Sequence, residues 1–213
     1  RVNGGTSSFS SNERTANIAV NSVNDNPDAT FNTGAGGLTV NEDAGAQTVN
    51  GFVTATDVGD GGLLESAQTI SYVVTNNLNS LFSAQPAIAA NGTLTFTPAD
   101  NANGSASITV DVRDSAGGST VKSNAFTITV TAVNDEPSQT LRSVPAVLED
   151  AGAQSVDNFV ISTTKGGGSD ENSQTLTFAL TNSNPSLFSV QPALAADGTG
   201  ALTYTPAPNQ FGI

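Results

Sequence analysis

Nineteen Asp and Glu residues face six Lys and Arg, and the chain contains no His and no Cys, for a formal net charge of −13. Without imidazole or thiol, zinc chemistry, cysteine nucleophiles and triads built on a histidine base are excluded. What remains is oxygen-donor chemistry. The acids form no block; they recur singly or in small groups at turn-like positions. Carboxylates placed that way suit divalent cations, which take hard oxygen ligands. No acidic pair lies in a context that marks a catalytic pocket, so an enzyme is not expected. The same negative surface repels nucleic acid and anionic lipid, because phosphate binding depends on Lys and Arg. Glycine-rich stretches at 34–37, 59–62 and 166–168 precede no Lys-Ser/Thr pair, so they read as loops and not as phosphate cradles.

The elements that must carry these acids are strands. Hydrophobic residues make up 37% of the chain, with no Trp, no Met, two Tyr and ten Phe. Val, Ile and Phe favour strands, while Thr, Ser, Asn and Gly fill exposed strand faces and turns. Phe126, Ile128 and Val130 alternate with Thr127, Thr129 and Thr131; Ile108, Val110 and Val112 alternate with Thr109, Asp111 and Arg113; Leu94 and Phe96 alternate with threonines. This period of two marks half-buried strands. Further strands are predicted near 38–41, 48–56, 68–75 and 83–90. The fold class expected is all-β, as tandem seven-stranded Greek-key sandwiches. No run of about 18 apolar residues is present, so no membrane-spanning helix is expected in this segment. No signal peptide opens it, and an export signal or anchor is expected outside it.

Internal repetition is the strongest feature. Glu42-Asp43-Ala44-Gly45-Ala46-Gln47 recurs as Glu149-Asp150-Ala151-Gly152-Ala153-Gln154, an offset of 149 − 42 = 107. Ser80-Leu81-Phe82-Ser83 recurs at 186–189, Gly92-Thr93-Leu94-Thr95-Phe96-Thr97-Pro98 recurs near 198–206, and Val23-Asn24-Asp25-Asn26-Pro27 returns as Val133-Asn134-Asp135-Glu136-Pro137. A period of about 107–110 residues is the size of one sandwich domain. The phase divides the chain into 1–25, the last strand of a preceding repeat; 26–135, a complete repeat; and 136–213, an incomplete second repeat. The reading expected is a piece of a longer array. The alternative is a filament whose missing strands are donated head to tail by other copies. Asn91-Gly92-Thr93 and Asn103-Gly104-Ser105 fit the glycosylation sequon, but Asp197 stands where the first repeat has Asn91, so a turn requirement explains that site better.

The Val-Asn-Asp-x-Pro linkers, the Glu-Asp-Ala-Gly-Ala-Gln box, the Gly-Thr-Leu-Thr-Phe-Thr-Pro strand and Val112-Arg113-Asp114-Ser115-Ala116-Gly117-Gly118 together resemble the cadherin-like and immunoglobulin-like repeats of large bacterial surface adhesins of the RTX type. That resemblance implies an extracellular, cell-surface stalk stiffened by calcium between consecutive repeats. Its partners would be neighbouring repeats of the same chain, with other copies of the chain or surface glycans beyond them. Carried over, the first junction would use Asn24, Asp25 and Asn26 from the linker, Asp57 and Asp60 from the following loop, and Asp114. The second would use Glu42, Asp100, Asn134 and Asp135. Two departures bear on this. Asp57 and Asp60 are three apart instead of two, and the matching loop in the second repeat runs Thr163-Thr164-Lys165-Gly166, with a lysine in place of an acid. The first junction is therefore the stronger calcium candidate on sequence, with Asp170 and Glu171 the only acids near the second loop. Asn-Asp-x-Pro is also a good turn sequence without a metal, since Asx side chains cap turns and Pro fixes φ. Glu65 and Glu171 share a Glu-x-x-Gln spacing with Gln68 and Gln174, which fits a hydrogen-bonded corner as well as a ligand. A sugar-binding module is the other alternative, without any Trp to supply a stacking platform.

Overall fold

The computed structural model describes residues 17–21, 23–34, 37–59, 67–116, 122–196 and 198–213. It is all-β: the described residues form fourteen strands and three short 3-10 turns, with no α-helix. The first repeat holds β1 (Asp28–Phe31), β2 (Leu38–Asn41), β3 (Gln47–Val49), β4 (Val53–Asp57), β5 (Ile70–Asn76), β6 (Phe82–Ile88), β7 (Leu94–Pro98), β8 (Gly104–Asp114) and β9 (Lys122–Thr131). One sheet has the order β2-β9-β8-β5 and another β3-β7-β6, with β1 paired to β4. The non-sequential neighbours β2-β9 and β3-β7 are Greek-key crossings between two layers.

Nine segments stand where seven strands were expected. The single strand near 48–56 is broken: β3 pairs with β7, while β4 pairs with β1. Gly51 turns the chain at φ +63°, a conformation open to glycine, and Phe52 drops into the core there, fully buried. The other addition is β1, four residues too short to stand out by alternation.

The alternating apolar side chains of both layers meet in one cluster. Phe52, Leu94 and Phe96 from one side pack against Ala106, Ile108, Val110, Phe126, Ile128 and Val130 of β8 and β9. Phe52 is central, with ring centroids 5.7 Å from Phe31 and 4.9 Å from Phe126, distances at which tilted aromatic pairs attract. Tyr72 is half-buried against this cluster, and Tyr204 lies in the smaller core of the second repeat with Val156 and Leu202.

The second repeat reuses these registers. β10 (Ser138–Leu141) pairs with β12 (Val160–Thr164), and β11 (Gln154–Val156), β14 (Leu202–Pro206) and β13 (Phe188–Leu194) form a sheet. The bulge between Thr30 and Phe31 on β4 reappears between Thr140 and Leu141 on β12. Beside β14 lies an apolar cavity of about 650 Å³ lined by Val144, Leu148, Leu187, Tyr204 and Phe211. In the first repeat the equivalent of Tyr204, Phe96, is covered by β8 and β9.

Candidate metal centre at the repeat junction

The junction between the two repeats is built by strand direction. β2 and β9 run parallel, with Asn41 opposite Thr131, so both strands finish at the same end. Glu42, the residue after β2, therefore meets the linker that follows β9. Its carboxylate is 2% exposed and accepts the Val133 backbone N–H at 2.7 Å. The neighbouring Asp43 accepts the backbone N–H of Asn101 at 3.0 Å, which holds the β7–β8 turn against the same end. From that turn Asn103 donates both to Glu42, at 3.3 Å, and to Asp170 of the second repeat, at 2.9 Å. A single amide thus joins carboxylates of two repeats.

The second repeat supplies its side from the loop after β12 and a 3-10 turn at Asp170–Ser173. Asp135 of the linker accepts the Gly167 N–H at 3.0 Å, and its own N–H reaches Glu171 at 3.4 Å. Gln174 donates to Asn134 at 2.8 Å. Glu171 is 1% exposed, and its second carboxylate oxygen, Oε2, has no hydrogen-bond partner. Burial, followed by the Asp170 side chain, which can share a hydrogen bond with Glu171 only when one of the two carboxyls is protonated, holds its pKa above the usual glutamate range, partly offset by backbone N–H donors. A buried carboxylate oxygen without a hydrogen-bond partner is costly. Oxygens also converge on Gly167: a Cβ there would overlap both Asn101 Oδ1 and Asp135 Oδ2. Lys165, read from sequence as opposing a cation, instead donates its ammonium to the Asn172 carbonyl at 2.6 Å. It secures the end of the 3-10 turn that carries Asp170 and Glu171.

The first junction repeats part of this pattern. Gln68 donates to Asn24 at 3.0 Å, and Asn24 donates to Asp114 at 3.1 Å. Gly59 donates to Asp57 at 2.9 Å. Asp28 and Asp57 stand directly opposite each other on β1 and β4, where Ser138 and Thr164 share a 2.8 Å hydroxyl contact in the second repeat. Opposed like charges on paired strands destabilise unless countered, and Asp28 was not singled out on sequence. Asp25 and Asn26 are exposed beside Gly59, while Asp60 and Glu65 lie outside the described residues. At the second junction Asp100 is exposed in its turn; its neighbours instead reach the second repeat, Asn101 beside Gly167 and Asn103 on Asp170. Asn103 was legible only as a sequon; Glu171 was legible as an acid near the second loop and through the repeated Glu-x-x-Gln spacing.

The oxygen donors gathered at the second junction are of the type a hard cation takes, and Glu171 Oε2 there has no hydrogen-bond partner. In the arrangement observed, no three acidic side chains among the described residues stand in ready ligating geometry, so closure of Glu42, Asp135, Asp170 and Glu171 around an ion requires side-chain movement.

Residues 23–129 match the family model described as a cadherin-like domain. No curated protein matches the sequence. Among solved structures, the Bacteroides ovatus mixed-linkage glucan utilization locus protein SGBP-B, in complex with a mixed-linkage heptasaccharide, is 8% identical with a TM-score of 0.28. That alignment covers 89% of this chain and 42% of the other, so the chain spans less than half of the length of that structure.

Proposed function

Because this chain belongs to the cadherin-like domain family, we propose that it is a stretch of an extracellular stalk in a large surface adhesin of the RTX type, in which calcium couples consecutive repeats. The observation that carries the reading is Glu171: buried, with one oxygen unpartnered, and facing a linker supplied by the preceding repeat.

Glu42, Asp135, Asp170 and Glu171 would hold the ion, with Asn101, Asn103 and Asn134 as neutral oxygen donors. A bound divalent cation supplies charge cancellation among carboxylates that otherwise repel. Each of these residues has a separate positioning task. Glu42 ties the end of β2 to the linker, Asn103 bridges the two repeats, and Gln174 orients Asn134. With the carboxylates drawn together, the linker at 132–136 loses freedom to bend, and the repeats act as one rod. Without the cation their repulsion favours an open, flexible joint. Extracellular calcium modules work at about 10⁻⁴ to 10⁻³ M, a range in which external calcium keeps such joints closed.

Small-angle scattering of the 213-residue chain tests this. In millimolar calcium the maximum dimension should rise and the profile become rod-like, and chelator should reverse both. Profiles that superimpose in the two conditions would remove calcium from the account.

A further inference from the structure

We propose that Asn50 is a self-modification site, at which the first repeat loses a side-chain amide to its own backbone and weakens with age. This stands without any bound ion. Within the described residues, Asn-Gly pairs occur at 50–51, 91–92 and 103–104. An Asn followed by Gly reacts without an enzyme, because no side chain shields the next backbone nitrogen. The Gly51 nitrogen attacks Asn50 Cγ. A bond forms between them, the Cγ–Nδ2 bond breaks, and the Gly51 amide proton passes through solvent to the departing ammonia. Water then opens the cyclic imide. Opening at Cγ leaves aspartate, while opening at the former Asn50 carbonyl leaves isoaspartate, with the chain routed through the side chain. The net change consumes one water and releases one ammonia.

The fold ranks the three pairs. Asn50 and Gly51 are exposed in the turn between β3 and β4. A Cβ on Gly51 would meet nothing within 4 Å, so the imide has room to form. Among the described residues, no hydrogen bond ties the Asn50 amide or the Gly51 N–H. Asn91 is also exposed but is held: its side-chain oxygen accepts Thr93 N–H at 3.1 Å, and Gly92 N–H donates to the Ala89 carbonyl at 2.8 Å. The attacking nitrogen there is engaged, and Gly92 is buried against Val53. Asn103 donates its amide to Glu42 and Asp170, and Gly104 begins β8 opposite Val130.

The second repeat supplies an internal comparison. Asp157 and Asn158 occupy the places of Asn50 and Gly51, an offset of 157 − 50 = 107. Asn158 keeps the positive φ of the turn, +50° against +63° for Gly51, and its side chain shields the nitrogen that would attack. The turn accepts a carboxylate at this place, where the Ser155 hydroxyl donates to Asp157 at 3.1 Å. Aspartate formed at position 50 is therefore tolerated. Isoaspartate is not, because it adds a methylene to the backbone two residues before Phe52, which is fully buried at the centre of the core.

The test is peptide mapping by mass spectrometry of the full chain, aged at mildly alkaline pH in chelator, both folded and in denaturant. In the folded chain Asn50 should be lost at least about fivefold faster than Asn91 or Asn103, the rate equivalent of one net hydrogen bond that must open first. In denaturant the three rates should converge. Equal rates in the folded chain, or the same order with the chain unfolded, overturn the proposal. A second measurement follows melting of the aged protein. The first-repeat transition should fall in the wild type in step with its isoaspartate content. It should hold in Asn50→Gln, whose longer side chain closes a ring far more slowly, and in freshly made Asn50→Asp. An unmoved transition in aged wild type that has lost Asn50, or an equal fall in either variant, also overturns it. Loss of calcium stiffening in scattering would leave these results untouched, so the two readings fail separately.

Discussion

Gln174 donates to the side-chain oxygen of Asn134 at 2.8 Å, and the corresponding Gln68 donates to Asn24 at 3.0 Å. In each repeat a glutamine that follows the loop after β4 or β12 reaches back to the asparagine of the preceding linker. The contact spans 40 residues in one case and 44 in the other. Recurrence of the same bond at both ends of one repeat means that the linker is docked by the domain that follows it, and is not a free tether. Gln174→Ala and Gln68→Ala should each cost about 0.5–1.5 kcal/mol, seen as a lowered denaturant midpoint. Relaxation measurements should show faster backbone motion confined to the adjacent linker.

Glu171 gives a prediction whose sign depends on conditions. Its pKa is raised in the folded protein by burial and by Asp170. Its contribution to stability is therefore full below the ordinary glutamate value near 4.5 and is lost as pH rises through the raised folded value. In chelator at neutral pH, Glu171→Gln should raise the melting temperature, because it removes a buried carboxylate with an unpartnered oxygen. That advantage should fade as the pH is brought toward 4. In calcium the same variant should lower the melting temperature. A melting temperature that moves the same way with and without calcium would separate Glu171 from any ion.

Gly59 and Gly166 hold the linker by their lack of a side chain. A Cβ on Gly166 would lie 2.5 Å from Asp135 Cβ, and one on Gly59 would lie 2.7 Å from Asp25 Cβ; both glycines have positive φ. Gly166→Ala should cost about 1–3 kcal/mol from backbone strain, with a further cost from displacing Asp135. Gly152→Ala has open space and ordinary φ and should be neutral or stabilising by less than about 1 kcal/mol. Chemical denaturation of the two variants compares them directly.

Phe52 anchors the broken strand. Phe52→Ala should cost about 3–5 kcal/mol, read as loss of the main transition in calorimetry. Among the described residues, the second repeat has a core cluster of Val156, Leu202 and Tyr204 with two partly buried phenylalanines. Its transition should be the less cooperative one and should be little changed by the substitution.

Much of the fold was legible because the repeated motifs perform local tasks. Asp43 caps the turn at Asn101, and its copy Asp150 caps Asn209 at 3.3 Å. Gln47 and Gln154 each bond carbonyls within their own box. The long alternating runs became β8 and β9 because one face of each meets the core. The break at 50–52 was not legible, since its cause is the pull of the core on Phe52 and the change of partner from β7 to β1. Of the residues that meet at the second junction, Glu42, Asn134 and Asp135 were legible from the linker and box motifs, while the bridge through Asn103 was not. Asn103 and Glu171 act across contacts 67 and 36 residues apart, and nothing local to either residue records the partner. Lys165 shows the same limit: its charge is visible in sequence, but its direction, onto the Asn172 carbonyl, is set by the 3-10 turn.

Calcium titration of the 213-residue chain in a calorimeter, beside the Glu171→Gln and Asp135→Asn variants, tests the junction most directly. The wild type should bind calcium with a dissociation constant near 10⁻⁴ to 10⁻³ M. At tenfold saturation each site should add about 1.4 kcal/mol to stability, and either variant should weaken binding by at least about tenfold. Absence of binding heat at millimolar calcium, or equal affinity in the variants, would contradict the account and leave the junction acids as turn and capping residues.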